Sequence, residues 1–241
     1  GQPYGVIVGK KLNRTEAGEV IYENGLPTFD DKVSVLGNGN YDFTLGFRNA
    51  FSYKNLSMSV LVDMKFGADV YSMSKMQSHV NGTSKETLEG REGWYASEQA
   101  RLSANVDAKD WTPTGGYVGK GVKAVTDADG NVSYVPNDVY VDPAKYWQAL
   151  QNSSPEPFIC DNSFVKLREV SLSYSCPKKW FVHTPIESVT LSAYGRNLLL
   201  IYSKVDNIDP ESSYNNGNGQ GFEYGSLPSR RTFGFGINVK F

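Results

Sequence analysis

The segment Phe43-Thr44-Leu45-Gly46-Phe47-Arg48-Asn49-Ala50-Phe51-Ser52-Tyr53 decides the fold class. Apart from Asn49, its odd positions carry aromatic side chains or leucine, and its even positions carry small or polar ones. Successive side chains of a β-strand point to opposite faces of the sheet, so this period of two predicts a strand with one apolar face. After the two-residue turn Lys54-Asn55, the alternation resumes over Leu56–Phe66, which predicts a tight hairpin.

Three further segments alternate in the same way. Phe164–Ser175 and residues 186–198 form a second predicted hairpin, and residues 230–241 form a last strand that ends on Phe241. In the first of these segments, Val165 and Leu167 fall out of phase with Val170 and Leu172. An extra residue in one strand restores such a phase, so we expect a β-bulge near Arg168-Glu169.

The connections between these five strands are alternately short and long. Short turns with long loops between them are typical of an outer-membrane barrel, whose periplasmic turns are short and whose outer loops are long. On this interpretation residues 43–66 and 164–198 are barrel hairpins, residues 230–241 are the final strand, and residues 1–42, 67–163 and 199–229 are extracellular loops. Within the loops we expect helix starts at Ser84 and Asp142, a hairpin over residues 122–135, another between residues 6–11 and 19–23, and no separate domain.

Composition agrees with an all-β protein. Glycine is abundant at 24 residues and aromatic residues reach 13%, which suits strands and turns. The 24 Lys and Arg nearly balance the 26 Asp and Glu, so no nucleic-acid partner is expected. No run approaches the roughly 20 apolar residues of a spanning helix, so a membrane role would need strands of about 10 residues. The first residues carry no secretory signal, which favours part of a longer polypeptide, and the two cysteines are expected to be unpaired.

No group of residues has the spacing of a catalytic or metal centre. The only histidines, His79 and His183, lie apart from cysteine and carboxylate clusters, so a structural or surface role is expected. The loop that begins at Asp127 lacks the glycine and glutamate of a calcium loop, which favours a plain turn. We expect solvated loop carboxylates rather than an acid/base pair, and no cofactor; the acidic residues considered are Asp206, Asp209, Glu211 and Glu223.

Aromatic residues in the predicted loops are the candidate binding residues, because an aromatic face can stack on a sugar ring or pack against a partner. Loop packing is the competing explanation for each of them. The candidates for contact with substrate or partner are Trp94, Tyr95, Trp111, Tyr214, Phe222 and Tyr224.

Several ordered motifs resemble the SusC-like TonB-dependent transporters of Bacteroidetes outer membranes, of the RagA/SusC family. The motifs are Phe164-Val165-Lys166-Leu167-Arg168-Glu169-Val170-Ser171-Leu172-Ser173-Tyr174, Gly195-Arg196-Asn197-Leu198, Ile208-Asp209-Pro210-Glu211-Ser212, Gly225-Ser226-Leu227-Pro228 and Arg231-Thr232-Phe233-Gly234-Phe235. The resemblance also covers Leu36-Gly37-Asn38 with Asp42-Phe43, and Phe51-Ser52-Tyr53-Lys54-Asn55, and it is weak over residues 70–160.

The resemblance implies the C-terminal five strands of a transmembrane barrel of about 22 strands with long extracellular loops that contain short helices. It also implies an outer-membrane importer of glycans or peptides that works with a SusD-like surface lipoprotein and is energised by TonB. The final strand resembles the signal for barrel assembly, and its signal residues are Phe233, Phe235, Ile237, Val239 and Phe241.

Two other classes of function stay open at this point. A soluble β-sandwich that binds carbohydrate through its loop aromatics would need the apolar faces of all five strands to pack inward. A secreted enzyme would need the loop carboxylates, with Glu211 as the residue to test.

Overall fold

The structure is a computed structural model that describes residues 1–212 and 219–241. Its strands are β1 (Val6–Leu12), β2 (Ile21–Glu23), β3 (Leu26–Pro27), β4 (Phe29–Asn38), β5 (Phe43–Tyr53), β6 (Leu56–Phe66), β7 (Asp69–Ser72), β8 (Val122–Thr126), β9 (Val132–Pro136), β10 (Ile159–Asp161), β11 (Phe164–Ser175), β12 (Ser188–Ser203), β13 (Phe222–Glu223) and β14 (Thr232–Lys240). Its α-helices are α1 (Met73–Val80), α2 (Arg91–Ser103) and α3 (Pro143–Ser153), and short 3-10 helices span Lys85–Leu88, Ala108–Asp110, Glu156–Phe158 and Lys178–Trp180.

The chain forms two compact units, each built from separated stretches of sequence. The sheet unit contains residues 38–70, 160–221 and 225–241, and the loop unit contains residues 1–37, 71–159 and 222–224. The loop sequences were expected to form no separate domain. They form a compact unit because their aromatic residues pack into a core of their own, which consists of Tyr22, Met76, Tyr117, Tyr146, Trp147, Leu150 and Phe158.

The sheet unit is built on a five-stranded antiparallel sheet in the order β14-β12-β11-β6-β5. The predicted strand pairs therefore form, and β12 continues five residues past Leu198 to Ser203. Cross-strand partners have the same polarity: Phe47 lies opposite Val62, Val60 opposite Val170, and Leu191 opposite Ile237. Matched partners fix the register, because a slip of one residue would move every apolar side chain to the other face.

The predicted bulge in β11 is confirmed. The register of β11 shifts between Leu167 and Glu169 against both neighbouring strands, so Arg168 has no partner in either ladder. The extra residue brings Val165 and Leu167 onto the same face as Val170. In β12, Asn197 adopts a positive φ of 52° at the matching level, where the pairing also skips.

Two expectations for the loop unit are confirmed and two are wrong. Helix α3 begins after Asp142, whose side chain accepts a hydrogen bond from Ala144 N, and β8 pairs with β9 as a hairpin. By contrast, Ser84 precedes only a 3-10 turn, and α2 begins later, after Gly90 with its left-handed φ of 80°. Strand β1 pairs with β4 rather than with residues 19–23, where β2 pairs with β3 and β8.

Within the described residues, neither Cys160 nor Cys176 forms a disulfide. None of the helices in the described ranges is long and apolar enough to cross a membrane.

Candidate functional site

One face of the five-stranded sheet is apolar, and its side chains are exposed or half-buried. Phe235 and Ile237 of β14 keep 87% and 73% of their accessible surface, and the apolar side chains of β5 are also exposed. A contiguous apolar surface of this kind in water marks a surface that meets another apolar phase or partner. The face consists of Phe43, Leu45, Phe47, Phe51 and Tyr53 of β5, Leu56, Met58, Val60, Val62, Met64 and Phe66 of β6, Val165, Leu167, Val170, Leu172 and Tyr174 of β11, Val189, Leu191 and Ala193 of β12, and Phe233, Phe235, Ile237 and Val239 of β14.

The side chains of the opposite face are mostly polar. Ser59 and Ser171 lie opposite each other on β6 and β11, with their hydroxyl oxygens 2.8 Å apart. Gly234 of β14 packs beneath the ring of Tyr194, so closely that an added Cβ would lie 2.3 Å from the ring. This face can therefore contact water and polar solutes.

A buried ammonium group lies on the polar face near the bulge. Lys166 is 3% exposed, and its Nζ donates to Asp209 Oδ1 at 3.2 Å, Glu211 Oε2 at 2.7 Å and Ser229 Oγ at 2.8 Å. Three acceptors match the three N–H bonds of an ammonium group, so its hydrogen-bonding capacity is fully used. The side chain therefore attaches two points of the loop at residues 204–229 to β11.

Arg168, the bulge residue, extends this network. Its Nη1 and Nη2 donate to the two carboxylate oxygens of Glu211 at 2.8 and 2.5 Å, a bidentate pair, and Nη2 also donates to Asp63 Oδ2 at 2.6 Å. Its Nη1 further donates to the Asn197 side chain at 2.7 Å. Two positions that lack a ladder partner between β11 and β12, Arg168 and Asn197, are thus joined through their side chains.

The network holds Asp209 ionised. Burial alone would raise the pKa of this carboxyl, but Ser229 donates to it through its hydroxyl and its backbone N–H. The backbone N–H of Glu211 and the charge of Lys166 act in the same direction, and together they lower the pKa of Asp209 to about 2. Burial also opposes ionisation of Glu211, yet its bonds from Arg168 and Lys166 lower its pKa.

The expectation of solvated loop carboxylates is therefore wrong for three residues. Asp209 and Glu211 are largely buried in ion pairs. Glu223 is 2% exposed, and its carboxylate accepts hydrogen bonds from Ser72 Oγ at 2.8 Å and Ser74 Oγ at 2.7 Å at the start of α1. Within the described residues, no group of three or more His, Cys, Asp or Glu side chains could hold a metal ion.

The loop unit contains a cavity of about 550 Å³ at which its three helices meet. It is lined by the C-terminal end of α1, one side of α2 and the N-terminal end of α3. Two of the sequence-predicted contact residues, Trp94 and Tyr95, lie on its wall together with Trp147. The volume falls within the range of small-molecule sites.

The other predicted contact residues are not part of this cavity. Trp111 donates its indole N–H to Ser97 Oγ of α2 at 3.1 Å. Phe222 packs edge-on against Tyr71, with ring centroids 5.8 Å apart, and Tyr224 is exposed. Tyr214 lies outside the described residues.

Sequence reasoning missed the polar residues of both sites. Lys166 and Arg168 appeared only as members of a strand, although two long basic residues spaced two apart on a polar face could have indicated partners in a loop. His79, Arg91 and Glu98 lie on the cavity wall, and Arg91, Trp94, Tyr95 and Glu98 have the spacing of one helix face. This helical spacing could have indicated from the sequence that these four side chains line one surface.

Comparison with curated proteins finds two similar receptors from Formosa agariphila. The chain is 27% identical over 222 residues to TonB-dependent receptor P3, a match that covers 90% of this chain and 18% of the relative. It is 29% identical over 240 residues to TonB-dependent receptor P26, covering 98% of this chain and 20% of the relative. The chain therefore spans about a fifth of the length of these relatives. No family model matches the chain.

Solved structures share the fold. The RagAB peptide transporter superimposes with a TM-score of 0.53, and the RagAB peptide importer in its closed-closed state with a TM-score of 0.56, each at 15% identity. Each comparison covers 98% of this chain and 23% of the other chain.

Proposed function

We propose that this chain, a SusC/RagA-like segment of a TonB-dependent receptor, forms part of the wall of an outer-membrane β-barrel that imports nutrients. The observation that carries the proposal is the sheet with one continuous apolar face, exposed or half-buried along its length, and one polar face. In a transmembrane barrel the apolar face contacts lipid and the polar face lines the lumen.

The edges of the sheet support the same proposal. Within the described residues, β5 and β14 each pair with only one neighbour, and an open edge of this length invites association with further strands. A closed barrel removes both edges. We propose a barrel of about 22 strands, of which this chain supplies the last five, with β14 closing the ring against the first.

The long connections then lie outside the cell. Residues 1–42, 67–163 and 199–229 would be extracellular loops, and the loop unit would be assembled from them. There it would meet cargo, a glycan or a peptide, under a SusD-like surface lipoprotein, while TonB acts from the periplasm. The relatives are named TonB-dependent receptors, and the structural neighbours are the RagAB peptide transporter and the RagAB peptide importer.

The two other classes of function are less well supported. A β-sandwich would bury the apolar face against a second sheet, whereas Phe235, Ile237 and Phe47 are mostly exposed. An acid/base pair requires carboxyl groups available to substrate, whereas Asp209 and Glu211 are held by Lys166 and Arg168. Transport rather than catalysis is the function proposed.

Cysteine labelling tests the membrane assignment on two adjacent positions. Cys160 and Cys176 are first replaced by serine in the full-length polypeptide that carries this sequence. Phe47→Cys and Arg48→Cys are then compared in outer-membrane fractions with a charged, membrane-impermeant maleimide. Because Phe47 is on the apolar face and Arg48 on the polar face, we expect labelling only at Arg48→Cys. Equal labelling of both, or recovery of the protein as a monodisperse soluble species, would contradict the proposal.

A further inference from the structure

The short turns of the five-stranded sheet meet at one of its ends. Ser175 N donates to Asn55 O at 2.9 Å, and Asn55 Nδ2 donates to Ser175 O at 2.7 Å, so the β5–β6 turn is bonded to the end of β11. At the start of β12, Glu187 N donates to Lys240 O at 2.7 Å, beside the end of β14. We call this region the turn end of the sheet; it consists of residues 53–55, 176–187 and 240–241.

Three lysines of the turn end have no carboxylate partner among the described residues. They are Lys54, Lys178 and Lys179, and all three are exposed. The one acidic side chain of this region, Glu187, is 2.8 Å from the ammonium group of Lys240 and pairs with it. Three positive charges are thus left without a compensating side chain.

The basic residues at the opposite end of the sheet are paired differently. Arg196 bonds to Glu169 at 2.8 Å, Lys204 bonds to Asp161 at 2.6 Å, and Lys166 lies between two carboxylates. These cations are compensated inside the protein and need no anion from outside. The turn end, by contrast, presents ammonium groups that an external anion can compensate.

Aromatic rings accompany the lysines. The Nζ atom of Lys54 lies 5.2 Å from the centroid of the Tyr53 ring, which belongs to the apolar face and is 71% exposed. The ammonium group is therefore at the rim of the apolar face. Trp180, directly after Lys179, is 59% exposed. Amphipathic rings and long basic side chains are the residues that occupy the boundary between hydrocarbon and lipid headgroups.

The charge of the turn end selects among headgroups. On the proposed barrel, short turns lie at the periplasmic leaflet of the membrane. A zwitterionic headgroup carries an ammonium group of its own beside its phosphate, and that group offsets the attraction to lysine. An anionic headgroup such as phosphatidylglycerol has no such group. Basic residues next to a bilayer therefore attract anionic lipids preferentially.

We propose that the turn end of the sheet is a binding surface for anionic phospholipids, whose phosphate groups are held by Lys54, Lys178 and Lys179. The exposed rings of Tyr53 and Trp180 supply the apolar part of the same surface. The inference rests on the proposed barrel and deepens it, because it names the lipid class bound at the periplasmic rim.

Fluorescence quenching next to the lysines tests the lipid preference. The full-length polypeptide, with Cys160 and Cys176 replaced by serine, carries bimane at Val182→Cys and is reconstituted in phosphatidylcholine vesicles. A small fraction of the lipid is phosphatidylglycerol or phosphatidylcholine with a nitroxide high on one acyl chain. Phosphatidylglycerol should quench as strongly as an about tenfold larger fraction of phosphatidylcholine. Lys178→Gln with Lys179→Gln should remove most of this difference, and Lys178→Arg with Lys179→Arg should keep it.

The matched control is Lys10→Gln with Lys11→Gln, which removes two adjacent positive charges from β1 of the loop unit. This variant should keep the wild-type lipid preference. Added salt should weaken the preference of the wild type, because exposed charges are screened. Since Lys178 and Lys179 are exposed, their glutamine variant should also keep the wild-type thermal transition, and that measurement excludes misfolding as the cause.

Three results would overturn the surface: equal quenching by the two lipids, a preference that the glutamine variant of Lys178 and Lys179 leaves unchanged, or one that the control variant reduces equally. Each leaves the barrel proposal intact if the labelling of Phe47→Cys and Arg48→Cys still differs. Conversely, a lysine-dependent lipid preference in a protein that labels equally at both positions would support the surface and remove the barrel.

Discussion

At the scale of single residues, the sheet unit depends on the buried ammonium group of Lys166. A buried charge is tolerated where its partners satisfy it, and removal of one partner leaves the others buried without compensation. Lys166 has three partners, two of them carboxylates, and they come from a loop 43 to 63 residues further along the chain. The loop is therefore fixed to the polar face by charge rather than by apolar packing.

Lys166→Met should destabilise the protein by about 3–5 kcal/mol, because Asp209 loses its buried cation and Glu211 loses one of two. The matched control is Lys204→Met, since Lys204 pairs with Asp161 at an exposed position and its loss should change little. Heat-induced unfolding on seminative gels measures both variants in the full-length protein. Similar effects of the two substitutions would show that the Lys166 network adds no stability of its own.

Acid should break the ion pairs around Lys166 within a defined pH range. The pKa of Asp209 is lowered in the folded protein from an ordinary value of 3.8 to about 2. The ionised Asp209 carboxylate contributes on the order of 2 kcal/mol to the free energy of unfolding. This contribution is fully present above about pH 4 and is lost as the pH falls toward 2. The unfolding temperature of the Asp209→Asn variant should therefore decrease less than that of the wild type between pH 5 and pH 2. Parallel curves for the two proteins would contradict the role given to Asp209.

At the scale of elements, adjacent positions of one strand should tolerate charge very differently. Val60 lies on the apolar face of β6 between Asn49 and Val170, whereas Ser59 lies on the polar face and bonds to Ser171. An arginine exposed to lipid near mid-membrane costs about 2–4 kcal/mol. Val60→Arg should thus reduce the amount of folded protein in the outer membrane much more than Ser59→Arg. Immunoblots of membrane fractions measure the amount of each variant. Equal amounts of the two variants would contradict the assignment of Val60 to the lipid-facing side of the sheet.

The strands of the sheet unit were predictable because their pattern is local. Alternation marked β5, β6, β11, β12 and β14, and the break in alternation located the bulge to within a residue. The partners of Lys166 were not predictable in this way, because an ion pair between β11 and a distant loop leaves no period in the sequence. The loop unit was missed for a related reason: Tyr22 and Tyr146 share a core and a hydroxyl contact of 3.3 Å although 124 residues separate them.

The candidate site was predictable in part. Trp94 and Tyr95 were identified as exposed loop aromatics, and the structure brings both to one cavity. Trp111 had the same sequence signal, but its indole is used inside the unit to hold Ser97. Composition finds the aromatic residues of a loop, whereas only the packing of α1, α2 and α3 separates those that face a cavity from those that face a helix.

At the scale of the whole molecule, Phe241 should matter more for assembly than for transport. Phe241 directly follows β14 and is exposed, and burial of one such ring contributes only about 2–3 kcal/mol. A large barrel should survive that loss. If the final strand is the assembly signal, deletion of Phe241 should sharply lower outer-membrane levels while the assembled fraction imports normally per molecule. Normal levels with defective uptake would place Phe241 in the transport cycle instead.

The discontinuous origin of the loop unit limits which single recombination events can transfer it intact. The unit draws on residues 1–37, 71–159 and 222–224, so no single contiguous segment encodes it. A recombination event between the codons of Ser74 and Glu223 would join a carboxylate from one parent to hydroxyl groups from another. A chimaera made at one crossover between residues 38 and 70 should therefore separate Tyr22 from the other residues of its core, whereas a transplant of the whole unit would have to carry all three segments together.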